Sequence, residues 1–491
     1  MFGSGNYLKN LHNWRVYCTK YLFAFADNSV NFFMILYIKN LVSLHANNCK
    51  NTRNVQRLAI ATLKRRFGIS LLLGCLLLTS LPTALCMSSA PIVYVSGDGT
   101  GDFNCDGKDD HVQINQALKF VSENSGYTTV YLKGPFTYRL GDSLIIDSNT
   151  ILEGDSNAVL TVHTDSLWEA EKPMIKQSNP KESTKGYIIL RGFEINGQAD
   201  TLNSKFAASK GVSELRGDGY YNMMLLYYDD VEITNMYLHD SLGDGLKIKY
   251  SQNVKFHDNR IYKLGHDGLF AIKCNNVEAW NNTVRCKTNS AVRIWNANHI
   301  KIHDNVIYTV YEPDAGGPGI QIQYIKESSS PYIMDDIEVY NNTIYDTYGP
   351  GIWLIAYGNA YAKTEAQNVY IHHNIFYGCG THPTYNWVCG IETSGFNNTT
   401  IENNVFDGNY HAAVALQAAL NLTPPGTGYT TIVRNNIISN TKQRKYQPSG
   451  TGNGVVNYLT GTHSFILENN CLYNNTAGNY KNVNSTTDIY A

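Results

Sequence analysis

The chain repeats one short phrase. HDNRIY (257–262), WNNTVR (280–285), HDNVIY (303–308), YNNTIY (340–345), HHNIFY (372–377), ENNVFD (402–407), RNNIIS (434–439) and ENNCLY (468–473) each carry an Asn followed, one or two residues on, by an apolar residue. TNMYL (234–238) reads as a weaker first copy. The aligned residues are Asn235, Asn259, Asn282, Asn305, Asn342, Asn374, Asn404, Asn436 and Asn470, at spacings of 24, 23, 23, 37, 32, 30, 32 and 34. A second phrase recurs between them: GLKI (245–248), GLFA (268–271), AVRI (291–294), GIQI (319–322), GIWL (351–354), GIET (390–393) and GVVN (454–457). Its alternation of apolar with other residues marks a strand with one buried face. Each repeat holds at least two short strands and is too short for a strand–helix–strand unit. A base period near 23 with insertions fits one turn of a parallel β-helix. Coils in such a fold stack about 4.8 Å apart, so an Asn at a fixed position can bond its counterpart on the next coil. Most of these Asn residues are therefore expected to be architectural.

Composition agrees with a β-rich, turn-rich chain. Of 491 residues only 16% are charged, while Gly (40) and Tyr (35) are plentiful. A formal net charge of −2 gives no reason to expect a nucleic-acid or membrane-surface binder. A stack of coils must be blocked at its ends. HVQINQALKFVSEN (111–124) has apolar residues at 112, 114, 117, 118 and 121, the pattern of a short amphipathic capping helix. TTVYLKG (128–134), SLIIDSNTILEGD (143–155) and YIILRGFEING (187–197) read as the first coils. Before the helix, GDFNCDGKDD (101–110) places Asp102, Asn104, Asp106 and Asp110 in a calcium-loop-like order, but Gln113 stands where the final acid belongs. A structural calcium ion is the one cofactor this suggests, and none is required. The competing reading is a polar turn that caps the helix.

SLGDGLKIKY (241–250) and KLGHDGLFAIK (263–273) pose the chemical question. Aligned on GLKI and GLFA, Asp244 and Asp267 fall at one point of adjacent coils, with carboxylates about 5 Å apart. Stacked carboxylates repel, so one is expected to hold a proton beside an ionised partner, the minimum equipment of a glycosidase. Asp240 offers a third carboxylate and His266 precedes Asp267. With Leu246 and Ile248 pointing inward, Lys247 and Lys249 point out, and later coils add Phe270, Arg293, Trp295, Gln321, Gln323, Trp353 and Glu392 on the same face. Cations suit anionic sugars, amides suit hydroxyls, and indoles suit sugar rings. DAGGPG (314–319) and YGPG (348–351) are expected to wall a groove over that face. The structural alternative is an Asp-Gly turn ladder with no chemistry.

The N-terminus reads separately. LKRRFG (63–68) followed by ISLLLGCLLLTSLPTALC (69–86) has the layout of a secretory signal, so residues 1–86 are expected to be a leader and 87–491 a single β-helix domain, with its cap at 91–125 and coils at 126–475. The expected product is secreted or held at the cell surface, is monomeric, and has no membrane-spanning domain in its mature part. Six cysteines follow residue 86. Cys379 with Cys389, and Cys274 with Cys286, are candidate disulfides, with buried free thiols as the alternative.

PIVYVSGDGTGDFNCDGKDDHVQINQALKFV, YLHDSLGDGLKIKY, IYKLGHDGLFAIK and DTYGPGIWLIAYG resemble the disaggregatase family of methanogenic archaea over roughly residues 91–491. The resemblance implies an exported right-handed, single-stranded parallel β-helix of the pectin-lyase-like class. It also implies endo-acting hydrolysis, by aspartates, of a cell-surface polymer of uronic acid and N-acetylhexosamine. The turns are also similar to those of polygalacturonase-like enzymes, although the NTD and GDD phrases are absent. Asp244 and Asp267 carry over from the resemblance, with His266 and Arg293 in support. The rivals are a calcium-dependent polysaccharide lyase on the same groove, with Lys247 or Arg293 as base, and a non-catalytic glycan-binding surface protein.

Overall fold

The computed structural model describes residues 91–165, 168–169, 171–178, 186–211, 222–286, 289–309, 317–327, 332–358, 361–417, 426–461 and 463–490. The signal-like segment 63–86 and residues 314–316 of the DAGGPG loop lie outside them. Among the described residues no helix is long and apolar enough to cross a membrane.

Each coil contributes three strands, consistent with the two or more expected, and equivalent strands pair in parallel along the molecule. Among the described residues the result is three sheets: sheet one of 14 strands, sheet two of 13 and sheet three of 12. One coil runs through Gln252–His257 in sheet one, Arg260–Leu264 in sheet two and Leu269–Ile272 in sheet three. Alternation sends every second side chain into a single core. Leu246, Leu269, Val292, Ile320, Ile352, Ile391 and Val414 form one inward file on sheet three, and Phe376 stacks on Phe406 at 4.7 Å inside sheet two. The helix α1 (His111–Glu123) lays Ile114, Ala117, Leu118 and Val121 on the first coils, as its periodicity predicts, while Val112 faces out.

The repeated Asn residues form the ladder expected of them. Asn282 N–H and Asn282 Nδ2 both donate to Asn305 Oδ1, at 3.0 and 2.9 Å, and Nδ2 also donates to Phe256 O at 2.9 Å. The same arrangement continues through Asn342, Asn374, Asn404, Asn436 and Asn470, and ends where Asn470 N–H donates to Asp488 Oδ1. The residue before each ladder Asn has a positive φ: Asp258 55°, Asn281 50°, Asp304 55°, Asn341 54°, His373 56°, Asn403 56°. Asn, Asp and His tolerate that left-handed corner best among residues with a Cβ. This explains the doublets DN, NN and HN: the first residue turns the corner and the second joins the ladder.

Two expectations need correction. Asn235 is not the first rung: Tyr237 pairs with Arg260, and Met236 N–H, one residue later, donates to Asn259 Oδ1, while Asn235 takes the left-handed corner (φ 53°). The disulfides are not formed: Cys274, Cys379 and Cys389 are buried free thiols, and Cys274 Sγ bonds the carbonyls of Ile272 and Ile248 instead. The Cys286 side chain lies outside the described residues.

Candidate active site

The corner between sheets two and three carries a second, shorter ladder. Asp244 N–H donates to Asn222 Oδ1 (3.1 Å), Asp267 N–H to Asp244 Oδ1 (2.9 Å), and Ser290 N–H to Asp267 Oδ1 (2.7 Å). Gly follows each Asp because the coils close up there. A Cβ on Gly245 would meet Gly268 O at 2.6 Å, and one on Gly268 would meet Ala291 O at 2.4 Å.

His266 binds both carboxylates. Its Nδ1 lies 2.7 Å from Asp244 Oδ1 and 3.0 Å from Asp267 Oδ2, and Asn289 Nδ2 meets its Nε2 at 3.1 Å. Lys247 Nζ stands 3.8 Å from Asp244 Oδ2, and Arg293 Nη1 3.7 Å from Asp267 Oδ2. Both aspartates are fully buried, whereas the His266 side chain keeps 12% exposure. Burial and the Asp267 charge push Asp244 upward against the pull of His266. For Asp267, burial also pushes upward, but the charge and hydrogen bond of His266, Arg293 and the Ser290 amide outweigh it and hold the carboxyl low. Burial alone would lower His266; the Asp267 charge and the bonds to both aspartates raise it to about 10. Asn289 Nδ2 also donates to Asp267 Oδ2, at 3.4 Å.

The other expected residues fall into three groups. Asp240 does not join the cluster. At a left-handed φ of 57° it turns to His239 Nδ1 (2.7 Å), with Lys263 Nζ at 4.0 Å. Asp102, Asn104, Asp106 and Asp110 do not converge either. Asp102 accepts from Tyr94 N–H, Asn104 from Gly101 N–H, and Asp106 from Lys108 N–H. Asp110 accepts from Asp106 and Gly107 N–H on one oxygen and from Arg139 N–H on the other. These bonds tie the turn together and pin it to the strand Phe136–Leu140. Asp110 stands at the helix start, but its side chain makes no capping bond.

The outward file of sheet three is as the alternation predicts: Lys247, Phe270, Arg293, Gln321, Trp353 and Glu392 are paired neighbours, and Trp295 pairs with Gln323 beside them. Lys249 pairs with Ile272 and is half-buried. This face is a recessed floor. Lys247 and Arg293 sandwich the Phe270 ring, at 5.2 and 4.4 Å, and Gln323 Oε1 accepts from both Arg293 and Gln321. Glu392 is buried with no cation within ion-pair reach; burial raises its carboxyl to about 8 against the pull of Gln417 and Trp353. Asn222, Asn289 and Tyr357, which donors and acceptors of the site touch, were missed by the sequence reading. The register of TNSAV (288–292) against GHDGL (265–269) would have found Asn289.

Among the described residues, Asp244, His266 and Asp267 form the one cluster with metal-ligand spacing, one atom of each lying within 4.8 Å of the others. Its chemistry does not fit calcium, which takes six to eight oxygens. Both Oδ1 atoms already accept backbone N–H groups, and three cationic side chains surround the two carboxylates.

Three stacked parallel sheets and a polar corner ladder define a right-handed parallel β-helix protein, and residues 221–378, which include the aspartate cluster, match the family model for the right handed beta helix region. Residues 334–491 match the family model described as disaggregatase related, which bears out the resemblance over that stretch. Curated protein sequences give no match. Among solved structures, the A-module of mannuronan C-5 epimerase AlgE6 from Azotobacter vinelandii is similar at 18% identity and TM-score 0.58, covering 78% of this chain and 94% of that one. The AlgE4 A-module from the same organism follows at 16% and 0.52, covering 81% and 100%. At such identities the likeness shows the fold.

Proposed function

We propose that the protein is a glycoside hydrolase acting on an anionic polysaccharide of uronic acid and N-acetylhexosamine. The observation that carries this is the pair Asp244 and Asp267: two carboxyls on adjacent coils, bridged by one histidine and driven to opposite protonation states. Asp244 serves as the general acid. Its Oδ2 has no hydrogen-bond partner and is the oxygen left to protonate the departing glycosidic oxygen. Asp267, ionised, acts as nucleophile or base. His266 positions both carboxyls. Lys247 and Arg293 attract the substrate's carboxylate. Each is already engaged with an aspartate carboxylate, which favours a charge-pairing role over that of a lyase base. The matched family, disaggregatase related, and the polysaccharide substrate of the similar epimerase modules favour a glycan as ligand. The protein is further proposed to act as a monomer outside the cell or at its surface, with residues 1–86 as leader.

The test uses purified residues 87–491 on a uronic acid/hexosamine polymer, with new reducing ends, near-ultraviolet absorbance and C-5 configuration followed together. New reducing ends without absorbance, lost in Asp244→Asn and Asp267→Asn, support hydrolysis. Unsaturated ends would move the chemistry to a lyase, and inverted C-5 centres without shortening to an epimerase. Binding without any change in the polymer would make it a glycan-binding scaffold.

A further inference from the structure

The outward file of sheet three changes along the molecule. Lys176 and Leu225, before the aspartates, are half-buried. At the aspartates Lys247, Phe270 and Gln321 keep 6%, 0% and 3%, and after them Trp353, Glu392, Ala415 and Val456 keep 7%, 1%, 0% and 0% exposure. The cover on the far side is the loop 378–390, an insertion at the same corner that carries the aspartates. Trp387 stacks on Trp353 (5.1 Å, 23°), Tyr385 on Trp387 (4.7 Å, 21°) and His382 on Tyr385 (3.5 Å, 1°). The four rings rise from the floor as a continuous stack. The loop is held at both ends: His382 N–H donates to Tyr348 O (3.0 Å), and Arg444 Nη1 to Asn386 O (3.1 Å). Beyond it the outer face carries an enclosed apolar cluster of Cys389, Ala412, Ala415 and Val456, beside Gln417, which bonds both Glu392 and His411. On the aspartate side Asp244 Oδ2, Arg293 Nε and Trp295 Nε1 are buried without a hydrogen-bond partner, and Glu392 Oε1 and His411 Nδ1 are in the same state past the stack. The cations and amides of the floor, Lys247, Arg293, Gln321 and Gln323, thus sit on the aspartate side of the stack, and the outward file turns to Ala415 and Val456 past Glu392.

We infer that the loop 378–390, through Trp387 stacked on Trp353, closes the groove at one end, so that a glycan enters from the N-terminal side and its terminus stops against this wall. From Asp267 to Trp353 is three coil steps, about 14 Å, or about three sugars at roughly one sugar per coil rise. The wall turns a groove open to internal segments into one that takes chain ends, which departs from the internal attack that the resemblance implies. It rests on the glycan reading above, but its test does not need catalysis.

The test counts proteins bound per chain on size-fractionated uronic acid/hexosamine polymers of increasing length, by sedimentation, with Asp267→Asn as the parent. The parent is expected to bind once per chain at every length. Trp387→Ala is expected to bind several times per long chain, in proportion to length. Trp387→Phe keeps a stacking ring and should behave as the parent. Arg444→Ala loosens the loop without touching the stack and should lie between. A parent that already binds in proportion to length overturns the wall and leaves the hydrolase reading intact, and so does a Trp387→Ala protein that still binds once. No binding to any chain by any of the four proteins overturns the glycan reading, and the wall with it.

Discussion

Two of the polar ladders, both buried and at different corners, differ in what the structure needs from them. In the Asn ladder each backbone N–H donates to the Asn of the following coil, and the amide's own Nδ2 donates onward to a carbonyl and to the next Oδ1. Both ends of the side chain are used. In the ladder of Asn222, Asp244 and Asp267 each side chain only accepts, from the N–H of the following coil. Asn222 does that with an amide. Asp244 and Asp267 do it with buried carboxylates, which require His266, Lys247 and Arg293 to offset the cost of desolvation. The hydrogen-bond pattern alone does not call for these charges, and the catalytic role proposed for the pair would account for them.

Exchanging the two residue types gives the sharpest way to break this comparison. Asp267→Asn keeps the acceptor for Ser290 N–H but gives up the ion pairs to His266 and Arg293, so the protein should still fold cooperatively with a modest fall in melting temperature. Activity on the polymer should fall about 10²–10⁴-fold with KM little changed. Equal loss of stability and activity would return Asp267 to architecture. Asn305→Asp is the reverse. It keeps an acceptor for Asn282 but loses the donors to Ala279 O, His303 O and Asn342 Oδ1, and buries a charge with no cation nearby. Urea denaturation should show a loss of about 3–5 kcal/mol, with turnover per folded molecule unaltered. Asn305→Ala should cost less, about 1–3 kcal/mol, the penalty of an unmet buried N–H.

Next in size is a pH effect at Glu392, the buried acid with no cation. Its folded carboxyl holds a proton to about pH 8, whereas the unfolded one releases it near its ordinary 4.5. The unfolded chain therefore binds fewer protons between those values, and stability falls as pH rises through that window, by at most on the order of 5 kcal/mol. Glu392→Gln should match the parent at pH 4 and exceed it at pH 9; equal denaturation curves at pH 9 would show that the carboxyl reaches solvent or a cation. His266 works in the same direction, over a higher window. Its raised value means that its ion pairs contribute fully below about 6.5 and are lost as pH climbs through about 10.

Much of this was legible in the chain because each coil repeats the same two phrases, so aligning the phrases stacks like residues even where an insertion lengthens the coil. The Asn ladder, the pairing of Asp244 with Asp267 and the outward file from Lys247 to Glu392 all follow from that alignment. What spacing does not encode is the sign of φ at a corner. Asp240 and Asn235 were misplaced because each sits at a left-handed residue, where the side chain leaves the strand's alternation. Nor does spacing report how far an insertion folds back over the sheet. GTHPTYNWV reads as a loop between two cysteines; that His382, Tyr385 and Trp387 stack onto Trp353 depends on three-dimensional packing.

The smallest expected effect tests the corner that makes the Asn doublets necessary. Asn341 is exposed, has φ 54°, and immediately precedes ladder residue Asn342. An alanine there must hold its Cβ against the carbonyl in a left-handed conformation, at a cost of about 1–2 kcal/mol. Glycine accepts the same φ without that clash, so Asn341→Gly should stay within about 0.5 kcal/mol of the parent in urea denaturation. If alanine and glycine were equivalent, the first residue of the doublet would have no conformational role. The NN, DN and HN pattern would then need an explanation other than a corner residue followed by a rung.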